Sequence, residues 1–199
     1  MSSRDLILSR LREVAPAPRP LPEVPLFDQH LPPTLETFKK SLARLGGTWC
    51  DAPASGDLEA LIRSRFPQAR VVCSAVPEVE GTRRIEDVER PHDLEDVDVG
   101  IVRPAFAVAE TGSIWLSEHE YRVNALGYLS QHLVALVDPS DIVDNLHHAY
   151  HRREFFEARY ACLMSGPSAT ADIEGVLIRG AQGIRSLTVI SVPRVNAAR

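Results

Sequence analysis

The pattern of hydrophobic and polar positions divides the chain into segments with helical spacing and segments with strand spacing. Apolar residues recur every three or four positions over residues 4–14, 34–45 and 57–66, which predicts three amphipathic helices. Short apolar runs, separated by Gly, Pro or charged residues, predict strands at 71–73, 97–102, 106–109, 113–116, 133–137, 160–164 and 187–192. The early helices therefore precede a region that is mainly strand.

Two more helices are predicted among the later strands. The caps in Asp138-Pro139-Ser140-Asp141 favour a helix over residues 142–155. A turn at 165–168 then precedes a predicted helix over 169–179, which the glycines of 180–183 end. Strands and helices that alternate with short connections predict an α/β fold, with a mostly parallel sheet flanked by helices. Such sheets bind ligands beyond the carboxyl ends of their strands.

The N-terminal region is organised differently. Prolines at 16, 18, 20, 22 and 25 favour an extended course that no helix can continue through. We therefore divide the chain into a helical arm with a proline-rich linker at 1–25 and an α/β domain at 26–199. The arm either folds back on its own domain or reaches a neighbouring subunit, and the sequence leaves both arrangements open. A homo-oligomer is accordingly among the expectations.

Composition narrows the classes of partner. The 199 residues carry a formal net charge of -5, which argues against a nucleic-acid partner or an anionic lipid surface. No apolar run approaches the roughly 20 residues of a membrane span, and no segment resembles a signal peptide. Cys50, Cys73 and Cys162 are far apart in the sequence, which favours reduced thiols. We expect a cytoplasmic protein with no membrane association and no cofactor of its own.

The first loop with candidate chemistry lies between the runs at 106–109 and 113–116. It contains Glu110, followed by the candidate ligand-binding residues Thr111, Gly112 and Ser113. The glycine allows a ligand to approach the backbone, and the carboxylate of Glu110 is a candidate catalytic nucleophile or base. The alternative is structural, with Glu110 accepting hydrogen bonds in a turn or pairing with an arginine.

The second loop connects the strand at 160–164 to the predicted helix at 169–179. Its candidate ligand-binding residues are Ser165, Gly166, Pro167, Ser168, Thr170 and Asp172. Amides at a helix N-terminus bind phosphate or carboxylate groups, so a small carboxylate or phosphate is the expected ligand. Ser168 or Thr170 can instead cap the helix, while Asp172 in its first turn would repel an anion or hold an arginine that orients the loop. We expect this loop to meet the first one at one end of the sheet.

Two other groups of polar residues are better explained as parts of the protein surface than as functional sites. His147 and His151 lie one helical turn apart with His148 between them, but neighbouring charges favour an exposed helix surface over a metal site. The charged residues of 78–96 favour a solvated loop or mobile flap, with a lid over the sheet as the alternative. We therefore predict no metal ligands.

Both candidate loops resemble motifs of a known family. Val97-Asp98-Val99-Gly100-Ile101 with Phe106–Ile114, and then Ser165-Gly166-Pro167-Ser168-Ala169-Thr170-Ala171-Asp172-Ile173-Glu174, resemble the two core motifs of the LUD-domain family of lactate-utilisation proteins, protein C type. Gly180-Ala181-Gln182-Gly183 is similar to the family's next motif, with Gln182 where a histidine is common. The resemblance covers roughly residues 97–192.

The resemblance implies a fold like that of ribose-phosphate isomerase, glucosamine-phosphate deaminase and the CoA transferases. It also implies a component without a cluster that supports oxidation of L-lactate to pyruvate, together with iron–sulfur partner proteins that carry the clusters. Glu110-Thr111-Gly112 resembles the Glu-x-Gly of CoA transferases. Two alternatives follow: a free-standing enzyme that uses Glu110 on an acyl-CoA or a sugar phosphate, and a module that senses a carboxylic acid.

Overall fold

The computed structural model describes residues 2–17 and 19–194. Its helices are α1 (Ser3–Glu13), α2 (Thr34–Arg44), α3 (Leu58–Arg65), α4 (Glu118–Tyr121), α5 (Leu126–Leu129), α6 (Leu146–Tyr150) and α7 (Glu154–Glu157). Its strands are β1 (Thr48–Asp51), β2 (Val72–Ser74), β3 (Arg83–Arg84), β4 (Val99–Val102), β5 (Phe106–Val108), β6 (Ser113–Ser117), β7 (His132–Val137), β8 (Ile142–Val143), β9 (Ala161–Met164), β10 (Ala169–Thr170), β11 (Ile178–Arg179) and β12 (Ser186–Ser191). Short 3-10 turns occupy Ile85–Asp87, Pro91–Leu94 and Pro139–Asp141.

A six-stranded sheet, called the large sheet below, forms the centre of the molecule. Its order is β1-β12-β7-β4-β2-β3, and every neighbouring pair is parallel. The strands β4, β7 and β12 are rich in Val, Ile and Leu, and nearly every position in them is buried. Such continuous apolar runs are typical of parallel strands covered on both faces. The predicted α/β fold with a mostly parallel sheet flanked by helices is confirmed.

A second sheet, the small sheet, has the order β8-β5-β6-β9. β5 pairs antiparallel with β6, and β6 pairs antiparallel with β9, whereas β5 and β8 are parallel. The apolar runs at 106–109, 113–116 and 160–164 were correctly predicted as strands, but a single sheet was expected. Periodicity identifies a strand without identifying its neighbours, so the division into two sheets was not accessible from the pattern.

The two sheets and their helices form successive layers. One face of the large sheet packs on α3 through Leu58 and Ile62. The opposite face packs on the small sheet, on α2 through Phe38 and Leu42, and on Tyr121 of α4. The outer face of the small sheet is covered by α6 and α7, together with aromatic rings at 106, 115 and 155. The small sheet is therefore buried on both faces, which fixes the loops at its ends.

The helix predicted over residues 169–179 is wrong. Ala169 and Thr170 pair antiparallel with Arg179 and Ile178 as the two-stranded ribbon β10–β11. The ribbon is held because Gly180 donates its N–H to the Ser168 carbonyl at 2.6 Å. The apolar residues of the connecting loop keep their helical spacing but are exposed. No core surface lies beside these residues, so a helix here would have no apolar surface to pack against.

The helix predicted over residues 142–155 is only partly correct. Ile142 and Val143 pair with Ala107 and Val108 as strand β8, in keeping with the preference of β-branched residues for sheets. Asn145 then starts α6, because its side chain accepts a hydrogen bond from the His148 N–H at 3.0 Å. The segment is therefore a strand followed by two short helices.

Two other segments differ in how they pack. α1 buries none of its residues, and its apolar stripe is exposed. The segment 78–96 was expected to be solvated, but Ile85 and Leu94 lie in the core, and β3 forms an edge of the large sheet. Because charged residues surround these two side chains in the sequence, the hydrophobic pattern did not predict that they are buried. Within the described residues, none of the helices has the length and apolarity that a membrane crossing requires.

Candidate functional site

The two candidate loops are in contact at one end of the small sheet. Ile114 at the start of β6 pairs with Met164 at the end of β9, which brings the flanking residues together. The hydroxyl of Ser113 donates to Thr111 Oγ1 at 2.7 Å and is hydrogen-bonded to the hydroxyl of Ser165. A hydroxyl has one proton, so Ser165 is the donor to Ser113. The expected meeting of the loops is present as a chain of three hydroxyl groups.

Glu110 is held at the start of α6. Its Oε2 accepts a hydrogen bond from the Leu146 N–H at 3.0 Å, and its backbone N–H donates to the Asp144 carbonyl at 2.9 Å. Its own carbonyl accepts from the Ser41 hydroxyl at 3.1 Å. Oε1 accepts no hydrogen bond from the described residues, and the side chain is exposed. The Glu110 side chain is thus an acceptor at the start of α6 rather than within its own turn, and its Oε1 has no partner among the described residues.

Glu110 lines a cleft of about 440 Å³, called the Glu110 cleft below. Its other lining residues are Phe27, Leu31, Thr37, Asp144, Asn145 and His147. A carboxylate in such a setting can accept a proton or attack an electrophilic carbon. No catalytic role for Glu110 follows from this geometry alone, and that role stays a prediction.

The end of the proline-rich segment forms one wall of the Glu110 cleft. Asn145 donates its side-chain N–H to the Leu26 carbonyl at 2.7 Å, and the ring of Phe27 lies 4.7 Å from that of His147. Phe27 has φ +52°, a conformation that bulky residues rarely adopt. Sequence reasoning missed these contacts, because nothing in the pattern links residues 26–31 with residues 145–147.

The histidines lie beside this wall. His148 Nε2 is 3.7 Å from an Asp28 carboxylate oxygen, and its Nδ1 is 3.9 Å from Asp144. His147 contacts Phe27, while His151 follows the end of α6. Among the described residues, no three His, Cys, Asp or Glu side chains are grouped as a metal site would require. His148 lies between Asp28 and Asp144, and its buried Nε2 has no hydrogen-bond partner among the described residues.

The glycines of both loops lie against α2 and the turn that follows it. Gly112 has φ +62°, and a β-carbon there would lie 2.2 Å from the Leu42 nitrogen. Gly166 has φ +78°, and its β-carbon would lie 2.5 Å from the Leu45 carbonyl oxygen. Close helix packing therefore accounts for glycine at both positions. Ligand binding by either residue stays a prediction.

The second loop faces a different cleft from Glu110. This cleft, of about 450 Å³, is lined by Ser165, Gly166, Pro167 and Ser168, with Tyr128 and Gln182 among the facing residues. Ser168 donates its N–H to the Ile184 carbonyl at 3.0 Å, just before β12 begins. The loop therefore lies at the amino end of β12, opposite the edge where parallel sheets usually bind ligands.

The basis for an anion site in the second loop is wrong. It required helix amides after residue 168, whereas the chain there forms β10. Thr170 accepts a hydrogen bond from the Asp172 N–H at 3.2 Å, so its hydroxyl supports a turn. Asp172 is exposed and contacts no arginine among the described residues. The candidate ligand roles of Ser165, Pro167, Ser168, Thr170 and Asp172 stay predictions without a helix to support them.

Fold and loops together define a class. The chain is an α/β protein with a parallel six-stranded sheet, a smaller mixed sheet packed on it, and two polar loops joined by hydroxyl groups at the end of the smaller sheet. The model of the LUD domain matches residues 35–192, which include both sheets and both loops. The chain belongs to the LUD domain family.

Two known proteins are similar to this chain. It is 27% identical over 169 residues to Lactate utilization protein C of Geobacillus sp. (strain WCH70), covering 79% of this chain and 67% of that protein. The crystal structure of a DUF162 family protein from Deinococcus radiodurans superposes with a TM-score of 0.56 at 20% identity. That match covers 80% of this chain and 96% of the other, so the two share a fold.

Proposed function

We propose that this protein acts in lactate utilisation. In this role it supports oxidation of L-lactate to pyruvate as the component of the system that carries no iron–sulfur cluster. The observation that carries the proposal is the similarity to Lactate utilization protein C over 79% of the chain. Oxidation of lactate to pyruvate releases two electrons and two protons. The chain has three cysteines, fewer than the four thiolates of a common iron–sulfur cluster. In this proposal, iron–sulfur partner proteins accept the electrons.

Growth of the native host tests the role in lactate utilisation. Deletion of the gene should abolish growth on L-lactate and leave growth on pyruvate unchanged, because only the step before pyruvate is lost. Restoring the wild-type gene should restore growth on lactate. Equal growth of the deletion strain on both carbon sources would remove the proposal.

Association with iron–sulfur proteins needs a separate measurement. The tagged protein is isolated without oxygen from cells grown on lactate, and iron and acid-labile sulfide are quantified in the eluate. We expect both to co-purify in stoichiometric amount with the protein, and to be absent from a parallel isolation of the tag alone. The isolated protein could be free of iron even though the cells need the protein for growth on lactate. That result would reject the association with iron–sulfur proteins and leave the role in lactate utilisation standing.

The free oxygen of Glu110 favours a second candidate, an acyl-transfer enzyme. The Glu110 carboxylate would attack the thioester carbonyl of an acyl-CoA, and CoA would leave as the thiolate, giving an acyl–glutamyl anhydride. Incubation with acetyl-CoA should then increase the intact mass by one acetyl group and release one equivalent of thiol. Glu110→Gln should abolish both changes.

The matched control for Glu110→Gln is Glu36→Gln. Glu36 is an exposed glutamate that pairs with Lys39 at 3.2 Å, outside the Glu110 cleft. The Glu36→Gln variant should be acylated by acetyl-CoA to the same extent as the wild-type protein. Absence of any mass change in the wild-type protein would remove this candidate and leave the role in lactate utilisation untouched.

A further inference from the structure

A third cleft opens at the carboxyl edge of the large sheet. It has a volume of about 460 Å³, and part of its lining comes from the segments that follow three parallel strands: Ala75–Pro77 after β2, Arg103 after β4 and Arg194 three residues after β12. Because the strands are parallel, these three exits lie at the same edge. Open parallel sheets bind their ligands at this edge. Neither candidate loop contributes a residue to this cleft.

Four arginines line this cleft, which we call the arginine cleft: Arg103, Arg122, Arg152 and Arg194. Two of them are fixed by acceptors within the protein. Arg103 donates from Nε to Glu78 at 2.9 Å, and its side chain is only 11% exposed. Arg194 donates from Nε to Asp141 at 2.6 Å and from Nη2 to the Pro104 carbonyl at 2.9 Å. These contacts preorganise the floor of the cleft.

The other two arginines have donors that the protein does not use. The guanidinium of Arg152 lies 5.2 Å from the centre of the Phe106 ring and donates from Nη2 to Glu154 at 2.8 Å. Its Nε is buried and has no acceptor among the described residues. The guanidinium of Arg122 forms no hydrogen bond or ion pair within the described part of the chain. Buried donors are normally satisfied, so an unused one at a cleft points to a ligand.

Arg122 is also held in an unusual backbone conformation. Its φ of +61° and ψ of -50°, with the Val123 N–H donating to the Tyr121 carbonyl at 2.7 Å, define a γ-turn at the end of α4. This form of γ-turn is rare and strained for a residue with a side chain. Strained residues cluster at functional sites. The γ-turn places Arg122 at the cleft as an exposed residue whose guanidinium has no partner among the described residues.

The arginine cleft has no carboxylate paired with Arg122 among the described residues. Its carboxylates, Glu120, Asp141 and Glu154, are each occupied by a partner; Glu120, for example, accepts from the Ser117 N–H at 2.7 Å. Glu78 adds a fourth carboxylate at Arg103, so four carboxylates balance the four arginines, and the anion is expected at the guanidinium of Arg122, which is unpaired within the described part of the chain. Ala75, Val76 and Pro77 provide an apolar surface beside it.

We propose that the arginine cleft binds a small organic anion through its carboxylate or phosphate group, with Arg122 and Arg152 as the hydrogen-bond donors. The planar guanidinium group matches the oxygens of either group. The apolar surface after β2 contacts the carbon skeleton. This inference goes beyond the proposed role in lactate utilisation and does not depend on it.

An NMR titration tests the proposal at the residue level. The full chain, labelled with ¹⁵N, is titrated with L-lactate, pyruvate, ribose 5-phosphate and inorganic phosphate at constant ionic strength. We expect saturable shifts of the Arg152 Nε–H and of the amides around Arg122 with at least one of these probes. Saturation by the carboxylates or by the phosphates identifies which oxyanion the cleft accepts.

The decisive variant is Arg122→Gly. Glycine adopts φ +61° without strain, so the variant keeps the fold while it lacks the guanidinium. Loss of a charge-assisted hydrogen bond should raise the dissociation constant at least about tenfold. The control, Arg63→Ala, removes an exposed arginine from α3 on the other face of the large sheet and should bind as the wild type does.

Three results would overturn the proposal. The first is that none of the four probes saturates at millimolar concentration. The second is that Arg122→Gly binds as tightly as the wild type. The third is that the shifts cluster at Glu110 or at Ser165–Ser168. A comparison of ¹⁵N spectra without ligand shows that the variant is folded, so weaker binding reports on the guanidinium.

Discussion

Two glycines with similar backbone conformations have different surroundings. Gly112 has φ +62° and lies against the backbone of α2, whereas Gly56 has φ +74° and a β-carbon there would meet nothing within 4 Å. The Glu110 loop depends on the first contact, because Ser41 in the same turn of α2 donates to the Glu110 carbonyl. A residue chosen from the sequence for ligand access is thus required for packing.

Gly112→Ala should therefore lower the free energy of unfolding by about 2–5 kcal/mol, the sum of backbone strain and overpacking against α2. Gly56→Ala should lower it by about 1–2 kcal/mol, since only the strain applies. Urea denaturation of the two variants beside the wild type measures both values. Equal losses in the two variants would show that the contact with α2 is unimportant.

Residues of the candidate site could be predicted where they lie close together in the sequence. Glu110 and the serines of 165–168 are identifiable because glycine, hydroxyl and carboxylate residues gather in short loops. The four arginines of the arginine cleft are spread over residues 103–194 and share no local pattern. Only the topology of the large sheet and its covering helices brings them together.

At the scale of elements, burial explains α2, α3 and the failed helix over residues 169–179, but not α1, which is helical without burying a residue. α2 and α3 were predicted from apolar stripes, and both pack on the sheets. Residues 169–179 also had a stripe, but Gly180 donates to Ser168 and Ser168 donates to Ile184, which holds the segment where no core surface is available. Periodicity shows that a helix can bury a face, whereas the fold determines whether a surface is there to receive it.

α1 and α2 allow a direct comparison, because each has 11 residues. α1 buries none of them, while α2 buries Phe38, Ser41 and Leu42. Helices shorter than about 12–15 residues are marginal in water without tertiary contacts. Amide hydrogen exchange on the full chain should therefore be much faster in α1 than in α2. Equal protection would mean that α1 is covered by another subunit or a partner.

At the scale of the molecule, ionisation is linked to global stability through the buried thiol of Cys73. Burial raises the pKa of Cys73 from 9.0 to about 11, and the nearby Arg83 offsets this only in part. In the unfolded chain the thiol ionises at its ordinary pKa. Between these two values the unfolded state holds fewer protons than the native state, so stability falls as pH rises.

Urea denaturation across this alkaline range should show that decline, and Cys73→Ala should reduce its slope even though the variant is less stable throughout. Burial also raises the pKa of Tyr121, which adds to the decline above the ordinary pKa of a tyrosine. An unchanged slope in Cys73→Ala would assign the whole effect to other groups.

The order of strands in the large sheet has a consequence for biosynthesis. Within the part of the chain that the structure describes, β1 pairs only with β12, from Thr48 opposite Thr188 to Asp51 opposite Ser191. The ribosome makes β12 after all the other strands of this sheet, so β1 leaves the exit tunnel with no neighbour to join. Such long-range pairing slows folding and leaves strand edges open to association with other chains. Completion of the sheet must therefore wait until translation has passed β12, and a nascent chain paused earlier is a natural client for chaperones.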